Sequence, residues 1–242
     1  MSDAVLLVVP CFRESGRIGA FLREMEVEFR DDANVRVQIV DDGSGGDEPA
    51  KLEAIVEQCR ATWPALRPLL KLPQNQGKGG AVYAGWGTAT EEAWLAFVDA
   101  DGSCSAREVK RVLAMRGNGA LFASRVKMLG RSISRDWHRH LMGRVFATIV
   151  SELLHIAVYD SQCGLKLVPR AVFESMKTKL ELRGFSFDVE LLCALLDAGC
   201  AVTEVPIDWH EVPGGKVHLI RDSMRMVRDV LDVRERRKTW MK

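Results

Sequence analysis

Four short apolar runs in the first hundred residues each lead straight into a cluster of acids, glycine or lysine. Val5–Val9 leads into Pro10-Cys-Phe-Arg-Glu14, and Val35–Val40 into Asp41-Asp42-Gly43-Ser44. Leu69–Leu72 leads toward Asn75-Gln-Gly-Lys-Gly79, and Trp94–Val98 into Asp99-Ala-Asp101-Gly102. Runs of this length and composition are buried strands, and Ala120–Ala123 is a fifth. Helical patterns lie between them, at about Arg17–Phe29, Pro49–Arg60, Gly80–Ala89 and Ala106–Arg116. Ser105-Ala-Arg-Glu108 has capping-box spacing and supports the start of the last one. Alternating strands and helices predict an α/β fold with a mostly parallel central sheet flanked by helices. Such sheets bind ligands beyond the carboxyl ends of their strands, where all four clusters fall.

The second half is more mixed. It predicts a helix over about Trp137–Ile156, a short strand at Lys166–Val168, a helix over Phe187–Ala198, a strand at Ala201–Val205 and a basic amphipathic helix over Arg221–Lys242. A net charge of +1 gives no reason to expect a nucleic-acid partner. Six cysteines without a C-x-x-C pair fit free thiols in a reducing cytoplasm, and no signal peptide precedes Ala4–Pro10. The longest nearly apolar stretch, Val145–Val158, is too short to span a bilayer and carries Glu152 and His155.

Alternate residues of an extended chain point the same way, so Asp99 and Asp101 can face one ligand. Two carboxylates this close need a cation or donors between them, and Mg²⁺ or Mn²⁺ suits them. The bland alternative is a solvated turn with an acidic N-cap. Asp41-Asp42-Gly43-Ser44 suits either a plain strand exit or an acid that accepts hydrogen bonds from a base or ribose. Gly77-Lys78-Gly79-Gly80 ahead of a helix suits an anion loop of backbone N–H groups plus a lysine. It lacks Walker A spacing, and no G-x-G-x-x-G follows the first strand.

Taken in order, these segments resemble family 2 glycosyltransferases of the GT-A fold, in particular the polyprenyl-phosphate (dolichyl-phosphate-type) sugar transferases. Val8-Val-Pro-Cys-Phe-Arg-Glu14 is similar to V-V-P-x-Y-N-E, Val40-Asp-Asp-Gly-Ser44 to V-D-D-G-S, Asn75–Gly79 to N-x-G-K-G, and Asp99–Gly102 to D-A-D-G. Asp160-Ser-Gln-Cys-Gly-Leu-Lys166 resembles D-T-Q-C-G-F-K, and Phe185-Ser-Phe-Asp-Val-Glu-Leu-Leu192 resembles F-x-F-D-V-E-L-L. Glu204-Val-Pro-Ile-Asp-Trp209, with Gly215-Lys-Val217 beyond it, resembles E-V-P-V-x-W…S-K-V. The forms lean toward the glucosyltransferase branch. Arg13 and Phe12 depart from the family's Asn and Tyr.

The resemblance implies a GT-A domain over residues 1–219, with a nucleotide-binding half (1–105) and an acceptor half (106–219), followed by a basic tail over 220–242. It implies transfer of one sugar, glucose or mannose, from a nucleotide-sugar donor to a polyprenyl phosphate, with inversion. Pro10, Phe12, Glu14, Val40, Asp42, Lys78, Asp99, Ala100, Asp101, Arg125 and Lys216 would contact the nucleotide sugar. Asp99, Asp101 and Ser103 would hold Mg²⁺ or Mn²⁺. Arg125, Lys166 and Lys216 would meet the acceptor phosphate. Asp101, Asp188, Glu190 and Arg125 are the catalytic candidates, Asp188 and Glu190 as bases if the acceptor is a hydroxyl. A helix N-terminal acid is the plain alternative for Asp188.

Peripheral contact with the cytoplasmic membrane face, or with a membrane partner protein, has two candidate segments. Val145–Val158 confines Thr148, Ser151, Glu152 and His155 to one stripe of an otherwise apolar helix, which suits either a core or a bilayer surface. The tail carries eight basic and four acidic residues over 221–242, with Ile220, Met224, Val227 and Leu231 as its apolar seam. Rival readings are a glycosyltransferase acting on a hydroxyl of a glycan, small molecule or protein, a sugar nucleotidyltransferase, and a non-catalytic nucleotide-sugar-binding protein.

Overall fold

The computed structural model describes residues 3–126, 128–134, 137–212 and 219–240. A seven-stranded sheet forms its centre. The chain opens β1 (Val5–Cys11), α1 (Ile18–Phe29), β2 (Val35–Asp41), α2 (Glu48–Arg60), β3 (Leu70–Lys71), α3 (Lys78–Trp86), β4 (Trp94–Val98), α4 (Ala106–Ala114), β5 (Ala120–Ser124). It continues through β6 (Ile133–Ser134), α5 (Trp137–Leu154), β7 (Leu165–Pro169), α6 (Arg170–Met176), α7 (Phe187–Asp197), β8 (Val202–Pro206), β9 (Trp209–His210) and α8 (Leu219–Trp240). The strand order is β3-β2-β1-β4-β7-β5-β8. Only β7 runs antiparallel to its neighbours, β4 and β5. The mostly parallel sheet flanked by helices is as expected from the alternating pattern.

β1 shows why the apolar runs are continuous. All five residues from Val5 to Val9 are buried. Val5, Leu7 and Val9 face a core built with α1, α2 and α4, whereas Leu6 and Val8 face a second core built with α3, α5, α6, α7 and α8. A strand covered on both faces has no polar side to alternate with. Gly85 lets α3 lie close to the sheet, because a Cβ there would come within 2.7 Å of the Val8 side chain. The chain goes from β1 outward through β2 and β3, then returns to β4 on the other side of β1. This reversal opens a crevice at the carboxyl ends of β1 and β4.

Ser105 Oγ caps α4 by accepting the Glu108 N–H at 3.3 Å, but Glu108 does not reach back. Its carboxylate binds Arg111, Arg131 and the Asp208 N–H instead. α6 and the two-residue pair β6–β9 were not foreseen. Two residues carry no period, and a seven-residue helix barely carries one.

α5 and α8 settle which apolar faces are covered. Phe146, Val150 and Leu154 of α5 are buried in one cluster with Val230 and Val233 of α8, so this apolar face belongs to the core. The tail expected over 220–242 is therefore part of the domain from Met226 onward. Its expected seam is a correction. Met224 and Leu231 are 58% and 43% exposed, while Met226, Val230 and Val233 turn inward. Both rows have helical spacing, and the ion pairs of Arg236 with Glu190 and of Arg237 with Asp197 pin the second one against the body. No helix among the described residues is long and apolar enough to cross a membrane.

Candidate active site

The crevice is a cavity of about 460 Å³, within the usual size range for a ligand pocket. Pro10, Phe12, Glu14, Asp42, Lys78, Asp99, Ala100 and Asp101 line it, together with residues the sequence reading had not placed there. Those are Arg17 from the start of α1, Gly184 and Phe185 from the loop before α7, and Arg225, Met226 and Asp229 from α8. Arg17 had a legible signal in its three-residue spacing from Glu14, and Phe185 opens the Phe185–Leu192 motif. The others reach the cavity from far along the chain.

At the end of β1 the backbone of Arg13 is left-handed (φ +54°). This turns its N–H onto Ser44 Oγ, at 2.8 Å, and ties the β1 exit to the β2 exit. Asn adopts this conformation with less strain, which accounts physically for the Asn of the family motif. Arg13→Asn should therefore stabilise the chain by about 0.5–1 kcal/mol. Urea denaturation measures it, and a loss of stability would show that the guanidinium stacked on Phe12 matters more.

Glu14 and Arg17 form a double ion pair, with Arg17 Nη2 donating to Oε1 at 2.9 Å. Glu14 raises the Arg17 pKa more than burial lowers it, and Asp101 and Asp99 add to the rise. Asp42 accepts the Gln76 N–H at 2.7 Å on one oxygen and the Gly77 N–H at 2.9 Å on the other. Burial nevertheless pushes its carboxyl up. The Gly80 N–H goes to the Arg183 carbonyl. Two N–H groups of the expected cradle at residues 77–80, those of Gly77 and Gly80, are thus committed inside the fold, and the loop brings the Lys78 side chain to the cavity. Gly77 is required here: its φ is +86°, and a Cβ would press on the Arg183 carbonyl.

Lys78 Nζ pairs with Asp99 Oδ1 at 2.6 Å and lies over the Phe97 ring. Burial alone would push its pKa down, but Asp99, Asp188 and Asp101 outweigh that and hold it above the ordinary lysine value. Asp101 Oδ1 accepts the Ser103 N–H at 2.9 Å. Burial, then the neighbouring Asp99 charge, raises the Asp101 pKa. Two acids thus face the cavity with one lysine between them. Among the described residues no three acidic, histidine or cysteine side chains gather as a metal cage. Ser103 is buried, and its Oγ accepts the Val212 N–H at 3.4 Å.

Several sequence candidates are elsewhere, each held by a partner. Val40 is fully buried beneath α3 and does not line the cavity. Arg125 makes three hydrogen bonds to Asp160, two from the guanidinium at 2.7 and 2.8 Å and one from its backbone N–H at 3.0 Å, and stacks over Trp209. Although burial opposes both shifts, the pair holds the Arg125 pKa up and the Asp160 carboxyl well below the usual range. Lys166 is fully buried, bonded to the Cys163 carbonyl and 3.5 Å from Asp188 Oδ1. Lys166 is closed off from an acceptor phosphate, and Arg125, paired with Asp160 and partly buried, does not line the cavity, in contrast to what the resemblance implied. Asp188 is buried beside Lys166, and burial raises its pKa against the pull of Lys166 and Lys78. Glu190 is fully buried and accepts the Leu182 N–H at 2.8 Å as well as Arg236. Neither acid lines the cavity as a base would. Lys216 lies outside the described residues.

Paired acids at the switch point of a mostly parallel α/β sheet are the arrangement of a GT-A glycosyltransferase. The same fold is found in glucosyl-3-phosphoglycerate synthase from Mycobacterium tuberculosis, solved with Mn²⁺, UDP and glucosyl-3-phosphoglycerate. The TM-score is 0.65 at 14% identity over 95% of this chain and 78% of that one. Residues 6–176 match the glycosyl transferase family 2 domain, and the chain belongs to that family. It is 30% identical to a dolichyl-phosphate β-glucosyltransferase of Saccharomyces cerevisiae, over 94% of this chain and 73% of that protein. It is 26% identical to a polyprenol monophosphomannose synthase of Mycolicibacterium smegmatis, over 87% and 78%.

Proposed function

We propose that this glycosyltransferase moves one glucose from UDP-glucose to a polyprenyl phosphate, with inversion and with Mg²⁺ or Mn²⁺ at Asp101 and Asp99. Similarity over nearly the whole chain to a dolichyl-phosphate β-glucosyltransferase carries the choice of donor and acceptor. The donor set suits the cation: Asp99 and Asp101 both line the cavity, and carboxylates are hard oxygen ligands. The ion would complete its shell with diphosphate oxygens and water, and would supply charge stabilisation for the departing nucleotide.

The chain's own residues perform the remaining tasks. Arg17 and Lys78 place two cations in the cavity, near where negative charge grows on the leaving diphosphate. An acceptor phosphate oxygen is already anionic at neutral pH, so it attacks the anomeric carbon without a base. The bond from that carbon to the UDP oxygen breaks, and an α-linked donor gives a β-linked product. Asp188 and Glu190, the acids expected to serve as bases for a hydroxyl acceptor, are buried and do not line the cavity. A test is product formation from UDP-glucose and GDP-mannose, with polyprenyl phosphate and Mg²⁺, Mn²⁺ or EDTA. Metal-dependent glucosyl lipid is expected. Mannosyl product alone would move the assignment to the second relative's donor.

The reading also places the protein peripherally at a membrane. The outward row of α8 carries Met224 and Leu231, with exposed Arg234 one turn beyond Leu231 and Lys238, paired with Glu235, one turn further, a combination that suits an anionic surface. Sedimentation with phosphatidylglycerol vesicles should show binding at low salt that is lost by about 0.5 M NaCl, beyond which charges are screened within a few ångströms. Met224→Glu/Leu231→Glu should weaken binding about tenfold or more. Binding indifferent to salt and to these changes would remove α8 as the contact.

A further inference from the structure

Among the charged side chains that line the cavity, one stands apart. Glu14 is taken by Arg17, Lys78 by Asp99, and Asp42 by two backbone N–H groups. Asp101 accepts the Ser103 N–H, and Asp229 accepts Ser186 Oγ at 2.7 Å. Arg225 lines the same cavity and is exposed, yet has no hydrogen-bond or ion-pair partner among the described residues. Asp229 sits four residues further along α8, the spacing of a helical ion pair, but its carboxylate is turned to Ser186 instead.

Apolar side chains line the same cavity. Met226 is one of them, and Phe185, 39% exposed, is another. Met224, 58% exposed, precedes Arg225 on the helix. A guanidinium fork in one cavity with Phe185 and Met226 matches a phosphate monoester carried on a hydrocarbon chain. The fork can grip two phosphate oxygens, and the apolar rim can cover the first isoprenyl units. Of the three side chains that sequence reasoning gave to the acceptor phosphate, Arg125 is paired with Asp160 and Lys166 with Asp188, and Lys216 lies outside the described residues.

We propose that Arg225 binds the phosphate of the polyprenyl acceptor, so that α8 carries the acceptor subsite while the ends of β1 and β4 carry the donor subsite. This rests on the proposed polyprenyl-phosphate transfer. The fork then neutralises the incoming phosphate and aims one of its oxygens at the sugar.

Steady-state kinetics in detergent, with UDP-glucose and a short polyprenyl phosphate, test this with Arg225→Ala, Arg225→Lys and the exposed neighbour Arg228→Ala as control. Detergent removes any contribution from an anionic membrane surface. Arg225→Ala should raise the acceptor KM about 10- to 100-fold, the range for a lost charge-assisted hydrogen bond. The donor KM and the affinity for UDP measured by calorimetry should stay within about twofold. Arg225→Lys should recover part of the loss, because the charge returns without the fork. Arg228→Ala should match the parent. An unchanged acceptor KM in Arg225→Ala would overturn the inference. So would an equal rise for the donor, which would put Arg225 on the diphosphate, or an equal loss in Arg228→Ala, which would mean diffuse charge. If the parent itself transfers glucose only to hydroxyl acceptors, the functional reading falls and the acceptor subsite falls with it. If the parent glucosylates the lipid phosphate and Arg225→Ala does so equally well, only the subsite is lost.

Discussion

Asp101→Asn should abolish sugar transfer, by about 10³-fold or more in kcat/KM, without unfolding the protein. The loss follows from the position of the carboxylate at the end of β4, lining the cavity beside Asp99, where the charge of a departing diphosphate would be met. The retained fold follows from the same geometry. Burial and the adjacent Asp99 both disfavour the Asp101 charge, so a neutral side chain there relieves a cost. In EDTA the variant should melt at the parent's temperature or above it. Adding Mn²⁺ should raise the melting temperature of the parent in the presence of UDP and leave the variant unmoved. A variant that melts far below the parent in EDTA would make Asp101 a structural residue. Retained turnover would exclude it from the reaction.

The second large effect lies beneath the site. Lys166 is fully buried, its charge answered by Asp188 and the Cys163 carbonyl, with the Phe97 and Phe122 rings around it. Removing one partner of such a pair leaves the other as an uncompensated buried charge, which costs about 3–5 kcal/mol. For a domain of this size that lowers the melting temperature by about 10 °C. Lys166→Met and Asp188→Leu should each show it. The double variant should recover much of the loss, since apolar side chains replace both charges. Losses that simply add would mean that the two residues do not act as a pair. The Arg125–Asp160 pair behaves differently with pH. The native Asp160 carboxyl lies below its unfolded value, so the pair's contribution is complete above about pH 4 and fades only in strong acid.

The fold was legible because its central strands are buried on both sides. Trp94–Val98 was bounded correctly from the sequence, and β1 and β2 extended only slightly past their expected ends. The lining of the crevice was legible for a related reason. Its residues follow directly from strand ends, so local order along the chain places Glu14, Asp42, Lys78, Asp99 and Asp101 around one crevice. The candidates from the second half were not, because their outcome depends on pairings across the sheet. Nothing near Arg125 in the chain announces Asp160, and nothing near Lys166 announces Asp188. A basic residue in a motif looks available until its acid is found. The two rows of α8 posed the same problem in another form. Met224, Val227 and Leu231 satisfy helical spacing as well as Met226, Val230 and Val233, and only the packing against α5 chooses between them.

The most direct test of the account compares UDP-[¹⁴C]glucose transfer to a polyprenyl phosphate, to the same polyprenol without its phosphate, and to no acceptor, each with Mn²⁺ or EDTA. Labelled, mild-acid-labile glycolipid should form only with the phosphate and the metal, in the β configuration. Transfer to the free alcohol at a comparable rate, or hydrolysis of the donor that no lipid phosphate captures, would contradict it.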